Sequence, residues 1–207
     1  MTLEKWVNKE VIQNEINLKN NFKENKPFEH ISINNFLIEE IAIKLKREIL
    51  NEEFYLEDHD LYQFLRTVDI KNLKSDFLKE FREFIFSKEF VEFISNIVSE
   101  KLSSKKGDLH ALKLLNTHYL LCHDDQVQDR SVAFILQLSE TFSKKEGGSL
   151  DLFDTNEKQE PKSIVKSITP TFNSFNMFLV SSKSFHQISE VTTDKKRISI
   201  SGWFYEN

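Results

Sequence analysis

Four residues in the second half of the chain have the types and the spacing of an iron site. His123 and Asp125 are separated by one residue, and His186 follows some sixty residues later. Two histidines and one carboxylate on one face of a metal form the facial triad of non-haem iron proteins, which leaves the other positions open for oxygen and a co-substrate. Residues two apart on a strand point to the same face, so His123 and Asp125 can reach one ion. We therefore expect His123, Asp125 and His186 to be metal ligands.

Arg197 has the position of a co-substrate anchor. It begins an apolar run eleven residues beyond His186, in which strand alternation places Arg197, Ser199, Ser201 and Trp203 on one face. A guanidinium in such a run is costly unless it is paired, and a bound dicarboxylate would pair it in a bidentate way. A salt bridge on an edge strand is the alternative. We expect Ser199 either to donate to the same carboxylate or to have a structural role. The four residues together predict oxygen activation by iron with 2-oxoglutarate.

The same residue types also have less specific interpretations. A lone His186 would be interpreted as a core histidine bonded to a backbone carbonyl, and a His-x-Asp pattern often arises by chance. A second His-Asp pattern, at residues 58–60, is interpreted as a turn and helix cap before residues 61–64, since no arginine follows at a useful distance. Cys122 is interpreted as an inert buried thiol that points away from the metal.

Composition limits the class of protein. The 207 residues suffice for one domain with a substantial core, and 29% charged with 39% hydrophobic residues indicate a globular chain. The net charge of −5 gives no reason to expect direct nucleic-acid binding. A single cysteine suits a reducing compartment. We expect no signal peptide, no membrane segment and a cytoplasmic location, with the nucleus as a further location in a eukaryotic host.

Periodicity predicts helices first and strands later. Apolar residues recur at helical spacing in residues 36–50, in residues 75–86 and after a predicted cap at Ser87. Beyond Gly107 short apolar and β-branched runs predict strands at 111–122, 132–138, 149–153, 174–180 and 197–205. Residues 154–162 are charged and predict a solvated loop. We expect an α+β fold in one domain, with a mainly helical support region at 1–106 and a barrel or sandwich at 107–207 that contains the metal site.

Several local sequences resemble the ribosomal prolyl hydroxylases, which belong to the prolyl 4-hydroxylase-like branch of the 2-oxoglutarate and Fe(II)-dependent oxygenases. The segments that carry the resemblance are LLCHDD at 120–125, AFIL at 133–136 after Arg130, GGSLDL at 147–152, SFHQ at 184–187 and RISISGWF at 197–204. The resemblance implies a double-stranded β-helix (jelly-roll) core with N-terminal flanking helices. It also implies iron ligation by His123, Asp125 and His186 and 2-oxoglutarate binding by Arg197.

Two features depart from the family. Its well-studied eukaryotic members carry a second, degenerate oxygenase domain, which these 207 residues do not include. They also have a tyrosine nine residues before the first histidine ligand, where this chain has Leu114. Tyr119 is the candidate to replace that tyrosine in contacting 2-oxoglutarate. Both departures concern the substrate and co-substrate contacts and leave the metal ligands intact.

The resemblance implies a protein prolyl hydroxylase. The expected cofactors are Fe(II), 2-oxoglutarate as co-substrate and O2, with ascorbate as an optional addition. The expected partner is a protein, with a proline of a small-subunit ribosomal protein as the leading substrate. One alternative is hydroxylation of another protein, such as an elongation factor, or of a peptide or free amino acid. A second alternative is a non-catalytic binding module that kept the fold, although such proteins usually lose a ligand or the arginine. The substrate-entrance segments are expected at residues 53–69 and 124–130.

Overall fold

The computed structural model describes residues 2–127 and 129–207. The expected segment 124–130 therefore includes one residue, Gln128, that lies outside the described residues. Within the described residues the α-helices are α1 Lys9–Gln13, α2 Glu15–Glu24, α3 Glu39–Leu50, α4 Asp76–Ile85 and α5 Lys88–Val98. Short 3-10 helices occur at Leu3–Lys5, Ile70–Asn72 and Lys144–Glu146.

The three helices predicted from periodicity are confirmed. Helices α3, α4 and α5 fall within the predicted segments, and each buries its apolar stripe. The predicted cap is also confirmed, because the hydroxyl of Ser87 accepts from the backbone N–H of Phe90 at 3.3 Å. Ser75 caps α4 in the same way through the N–H of Leu78. Serine at this position provides an acceptor for an N–H that has no partner within the helix.

The strands form one antiparallel sheet that curls into a nearly closed jelly-roll barrel. The strands are β1 His30–Ile33, β2 Tyr55–His59, β3 Tyr62–Arg66, β4 Leu102–Leu114, β5 Tyr119–His123, β6 Arg130–Gln137, β7 Leu150–Thr155, β8 Pro161–Ile168, β9 Ser174–Leu179, β10 His186–Ile188 and β11 Arg197–Glu206. Their order across the sheet is β1-β9-β6-β11-β4-β3-β5-β10-β7-β8, and β2 pairs with β3. The expected α+β fold with a double-stranded β-helix core is confirmed.

The core lies between the helices and one face of the barrel. Alternate residues of β11, such as Ile198, Ile200 and Phe204, join the buried cluster that the helices cover. The ring of Phe90, from α5, lies 6.3 Å from the rings of Phe175 and Phe204 on the sheet. The buried phenylalanines of α4 and α5 are therefore packing residues. The opposite residues of the same strands face the barrel interior.

Three local predictions were wrong. Residues 111–122 are not one strand, because β4 ends at Leu114 and the chain turns through a left-handed Thr117 (φ 72°) into β5. Residues 154–162 are not one loop, because β7 and β8 extend into both ends and pair with each other. Residues 58–60 do not cap a helix, because β2 and β3 form a hairpin around them. In each case the partner strand, which periodicity does not reveal, decides the conformation.

The expected division at residue 106 does not separate two structural parts. Strand β4 runs across it, and β1, β2 and β3 from the first half belong to the same sheet as the later strands. The helical region and the barrel are therefore continuous. No helix among the described residues has the length and apolar character needed to cross a membrane.

Phe90→Ala should lower the free energy of unfolding by about 3–5 kcal/mol, because it removes a fully buried ring and leaves a cavity between α5 and the sheet. Urea unfolding at equilibrium measures the loss. Ile16→Ala is the control, since Ile16 is 77% exposed on α2 and a surface change of this kind alters stability by no more than about 0.5 kcal/mol. Equal losses for both variants would contradict the assigned core.

Candidate metal centre

Strand pairing brings the three predicted ligands together. His186 of β10 lies directly opposite His123 of β5 in the antiparallel register. Asp125 follows β5 with a left-handed backbone (φ 62°), a conformation that aspartate tolerates better than most residues. The ligand atoms of the three side chains lie within 4.8 Å of one another. The Nε2 atoms of His123 and His186 are 3.6 and 3.5 Å from the two carboxylate oxygens of Asp125. The predicted convergence is therefore observed.

Both imidazoles are oriented for ligation. Nδ1 of His123 lies 2.8 Å from the carbonyl oxygen of Leu121, and Nδ1 of His186 lies 2.8 Å from that of Ser184. A carbonyl can only accept, so each Nδ1 carries the proton and each Nε2 presents its lone pair to the shared site. Burial, followed by the neighbouring His123, lowers the pKa of His186 to about 4. The ring stays neutral near pH 7, which is the form that binds a metal. Two imidazoles and one carboxylate fit a divalent transition metal such as Fe(II), Mn(II) or Zn(II).

The Asp125 carboxylate is held from its other side by two residues. The indole Nε1 of Trp203 donates to Oδ2 of Asp125 at 3.0 Å. Arg130 lies over the indole ring, 3.7 Å from its centroid, and its Nη1 is 3.6 Å from Oδ1 of Asp125. Strand alternation predicts that Trp203 shares a face with Arg197, but the sequence gives neither Trp203 nor Arg130 a role at the metal site. Their types gave no signal, because the contact depends on how the turn after β5 folds over β11.

Arg197 lies in the barrel interior and is 1% exposed. Its Nε donates to the carbonyl oxygen of Gly148 at 2.8 Å, and its Nη1 donates to the hydroxyl of Ser199 at 3.3 Å. Gly148 has a left-handed backbone (φ 67°), and a Cβ at that position would lie 3.2 Å from Cδ of Arg197. Burial lowers the pKa of Arg197 to about 9, still above neutral pH. The edge-strand interpretation of Arg197 is wrong, since β11 pairs on both sides.

One cavity of about 460 Å³ joins these groups. Its walls include the triad, Arg197 and Trp203, and are otherwise mainly apolar, with Leu114 among them. Tyr119, the candidate for replacing the family tyrosine, is not one of the described residues that line it, and its backbone pairs with Gln63 of β3. Ser199 does not line it either but contacts the guanidinium. Cys122 is likewise outside the lining and is only half-buried. The metal-binding set and the buried guanidinium of Arg197 therefore line one cavity.

Comparison with known proteins identifies relatives of this chain. The model of the 2OG-Fe(II) oxygenase superfamily matches residues 109–205. Prolyl 3-hydroxylase OGFOD1 of Xenopus laevis is 42% identical over 181 residues, which are 86% of this chain and 35% of that protein. The chain spans about a third of the length of the curated relatives that it matches.

Solved structures share the fold. A prolyl-4-hydroxylase from Pseudomonas putida has a TM-score of 0.72 at 16% identity, over 92% of this chain and 99% of that one. A prolyl hydroxylase from Trichoplax adhaerens, in complex with a hypoxia-inducible-factor peptide fragment, has a TM-score of 0.73 at 15% identity, over 96% and 94% of the two chains. At these identities the likeness establishes the architecture alone.

Trp203→Phe should weaken metal binding about 10-fold or more, because it keeps a ring beneath Arg130 but removes the N–H that orients Asp125. Calorimetric titration with Mn(II) measures the dissociation constant. Trp6→Phe is the matched control, since the Nε1 of Trp6 is buried without a hydrogen-bond partner in the described structure. Unchanged Mn(II) affinity in Trp203→Phe would show that the indole does not orient the ligand.

Proposed function

This chain belongs to the 2-oxoglutarate and Fe(II)-dependent oxygenase superfamily, and on that premise we propose that it hydroxylates a prolyl residue of a protein substrate. One observation carries the proposal: His123, Asp125 and His186 face the same cavity as a buried Arg197. The OGFOD1 relatives from Xenopus laevis and Mus musculus, which are named prolyl 3-hydroxylases, support the choice of proline and of ring carbon 3.

Two groups of residues in the cavity would have separate binding roles. His123, Asp125 and His186 would hold Fe(II), and Arg197 would bind the far carboxylate of 2-oxoglutarate, with Ser199 steadying the guanidinium. When bound, iron and 2-oxoglutarate supply the oxidising chemistry that consumes O2 and releases succinate and carbon dioxide. The apolar walls, which include Leu114 and Ile188, exclude water from the reacting groups. Ascorbate would serve as an added reductant that maintains the Fe(II) state.

The mouth of the cavity suits a polypeptide. Leu61, Leu121 and Val127 line the cavity and are 55%, 45% and 53% exposed. Exposed apolar groups beside a reactive site favour a partner that covers them. Arg66 and His110 add polar groups on the same wall that can bind peptide carbonyls. Leu61 of the β2–β3 hairpin and Val127 of the turn after β5 lie in the two segments expected from sequence to form the entrance, whereas Leu121 of β5 and His110 of β4 lie outside them.

We propose a proline of a small-subunit ribosomal protein as the leading substrate, with the cytoplasm as the compartment. The support is the resemblance of the site segments to the ribosomal prolyl hydroxylases. Another protein, such as an elongation factor, would present the same chemical group to the same mouth. The ribosomal assignment therefore depends on the substrate test that follows.

Incubation of the protein with Fe(II), 2-oxoglutarate and peptides from the proline-containing loops of the host's small-subunit ribosomal proteins should add one oxygen atom to a prolyl residue. Peptide mass spectrometry with fragmentation locates the oxygen. Asp125→Ala is the control, and its product should fall to background because one of three ligands is lost. Wild-type turnover of 2-oxoglutarate without peptide hydroxylation would refute the ribosomal substrate, whereas absence of 2-oxoglutarate turnover with every protein substrate would refute the enzyme assignment.

Leu61→Ser should raise the KM for the peptide about 5- to 10-fold, which corresponds to the roughly 1–1.4 kcal/mol expected when a substrate covers half of a leucine side chain. Peptide-independent decarboxylation of 2-oxoglutarate should stay unchanged, because Leu61 lies at the mouth and away from Arg197. Val165→Ser, which removes a similarly exposed side chain on β8, is the control. An unchanged KM in Leu61→Ser would exclude the hairpin tip from substrate binding.

A further inference from the structure

Gln137 is a buried polar residue that the site described above does not use. It is 2% exposed and lies on β6, directly opposite Ser199 of β11 in the antiparallel register. Alternation along β6 sends Val132, Phe134 and Leu136 into the helix-covered core. Gln137 therefore faces the barrel interior, on the same side as Arg197.

Only one orientation of the Gln137 amide suits its neighbours. With Oε1 toward the arginine, it accepts from Nη2 of Arg197 at 2.6 Å, and Nε2 donates to the carbonyl oxygen of Ile198 at 3.2 Å. In the opposite orientation the NH2 group of Gln137 would point at the N–H donors of Arg197. The amide oxygen of Gln137 would then point at the carbonyl oxygen of Ile198. The amide is therefore a direct hydrogen-bond partner of Arg197.

Three hydrogen-bond acceptors among the described residues leave two N–H donors of the Arg197 guanidinium for a ligand. A guanidinium has five N–H groups, and Gly148, Ser199 and Gln137 each accept one, from Nε, Nη1 and Nη2 respectively. One N–H remains on each terminal nitrogen, and two terminal N–H groups of a guanidinium can bind a carboxylate in a bidentate way. All three partners are uncharged, so none of them neutralises Arg197.

We propose that Gln137 is a positioning residue that selects the co-substrate through Arg197, an inference that rests on the proposed function. Its amide fixes the plane of the guanidinium by accepting from Nη2, and as a neutral acceptor it leaves the positive charge available to the far carboxylate of 2-oxoglutarate. A glutamate here would form a buried ion pair with Arg197 and compete with that carboxylate. An apolar residue would leave Nη2 with one acceptor fewer and the guanidinium less firmly held.

The test compares Gln137→Glu and Gln137→Met with the wild type, each loaded with Mn(II). Binding of 2-oxoglutarate is measured by calorimetry, and binding of pyruvate, which keeps the keto-acid end but lacks the far carboxylate, is measured in parallel. Gln137→Glu should weaken 2-oxoglutarate binding about 30-fold or more and leave pyruvate binding unchanged. Gln137→Met should weaken it about 5-fold through loss of one hydrogen bond to a charged group.

Thermal unfolding separates positioning from a merely structural role. Gln137→Glu should keep or raise the Tm of the ligand-free protein, since it pairs a buried charge, but should lose the Tm increase that 2-oxoglutarate produces. Gln159→Glu adds the same charge in the exposed β7–β8 turn and should behave as wild type. If Gln137→Glu is misfolded, Gln137→Met with pyruvate as reference decides the question.

The outcomes distinguish this inference from the proposed function. If the wild type binds 2-oxoglutarate and Gln137→Glu binds it equally tightly, the proposed role of Gln137 is wrong. The oxygenase assignment is unaffected by that result. Equal losses for 2-oxoglutarate and pyruvate would also overturn it, because the effect would not act through the far carboxylate. A wild type that binds Mn(II) but not 2-oxoglutarate would overturn both.

Discussion

The pairing of β11 on both of its edges is the constraint on which the rest of the structure depends. Its neighbours β4 and β6 fix its register, and its side chains alternate between two environments. Ile198 and Ile200 enter the aromatic core beneath the helices, while Arg197 and Trp203 enter the cavity. A slip by one residue would exchange the two sets and place a guanidinium in the core. The register that packs the core is therefore the same register that places the site residues in the cavity.

The helices affect the site because their packing favours this register of β11. They cover one face of the sheet with rings such as Phe84 and Phe90, and the ring of Phe90 reaches the sheet beside Phe175 and Phe204. Burial of these rings favours the register that places Ile200 and Phe204 beneath the helices. The same register sets Trp203 at the level of Asp125. Helices that contribute no ligand thus determine where the ligands meet.

Much of this site was predictable from the sequence. The residues that were not predictable were missed for one common physical reason. The triad and Arg197 were predictable because their chemistry restricts them to few residue types at typical spacings, and alternation placed Arg197 and Trp203 on one face. The helices were predictable because their stripes and caps are local. Gln137 and Gly148 were not, because each is recognised only by its contact with Arg197 across the sheet. The two strands within residues 111–122 and strand β8 were missed because strand ends depend on the partner strand.

The charges that line the cavity differ between the metal site and Arg197. At the metal site the Asp125 carboxylate is approached by Arg130 and by the Trp203 indole, so its negative charge is partly offset before any metal arrives. Arg197 lines the same cavity, and the acceptors that it contacts among the described residues, on Gly148, Ser199 and Gln137, are neutral. Burial of a guanidinium with neutral partners alone is unfavourable. Under the proposed function, the far carboxylate of 2-oxoglutarate would offset that cost on binding, and the offset would contribute to the affinity of the co-substrate.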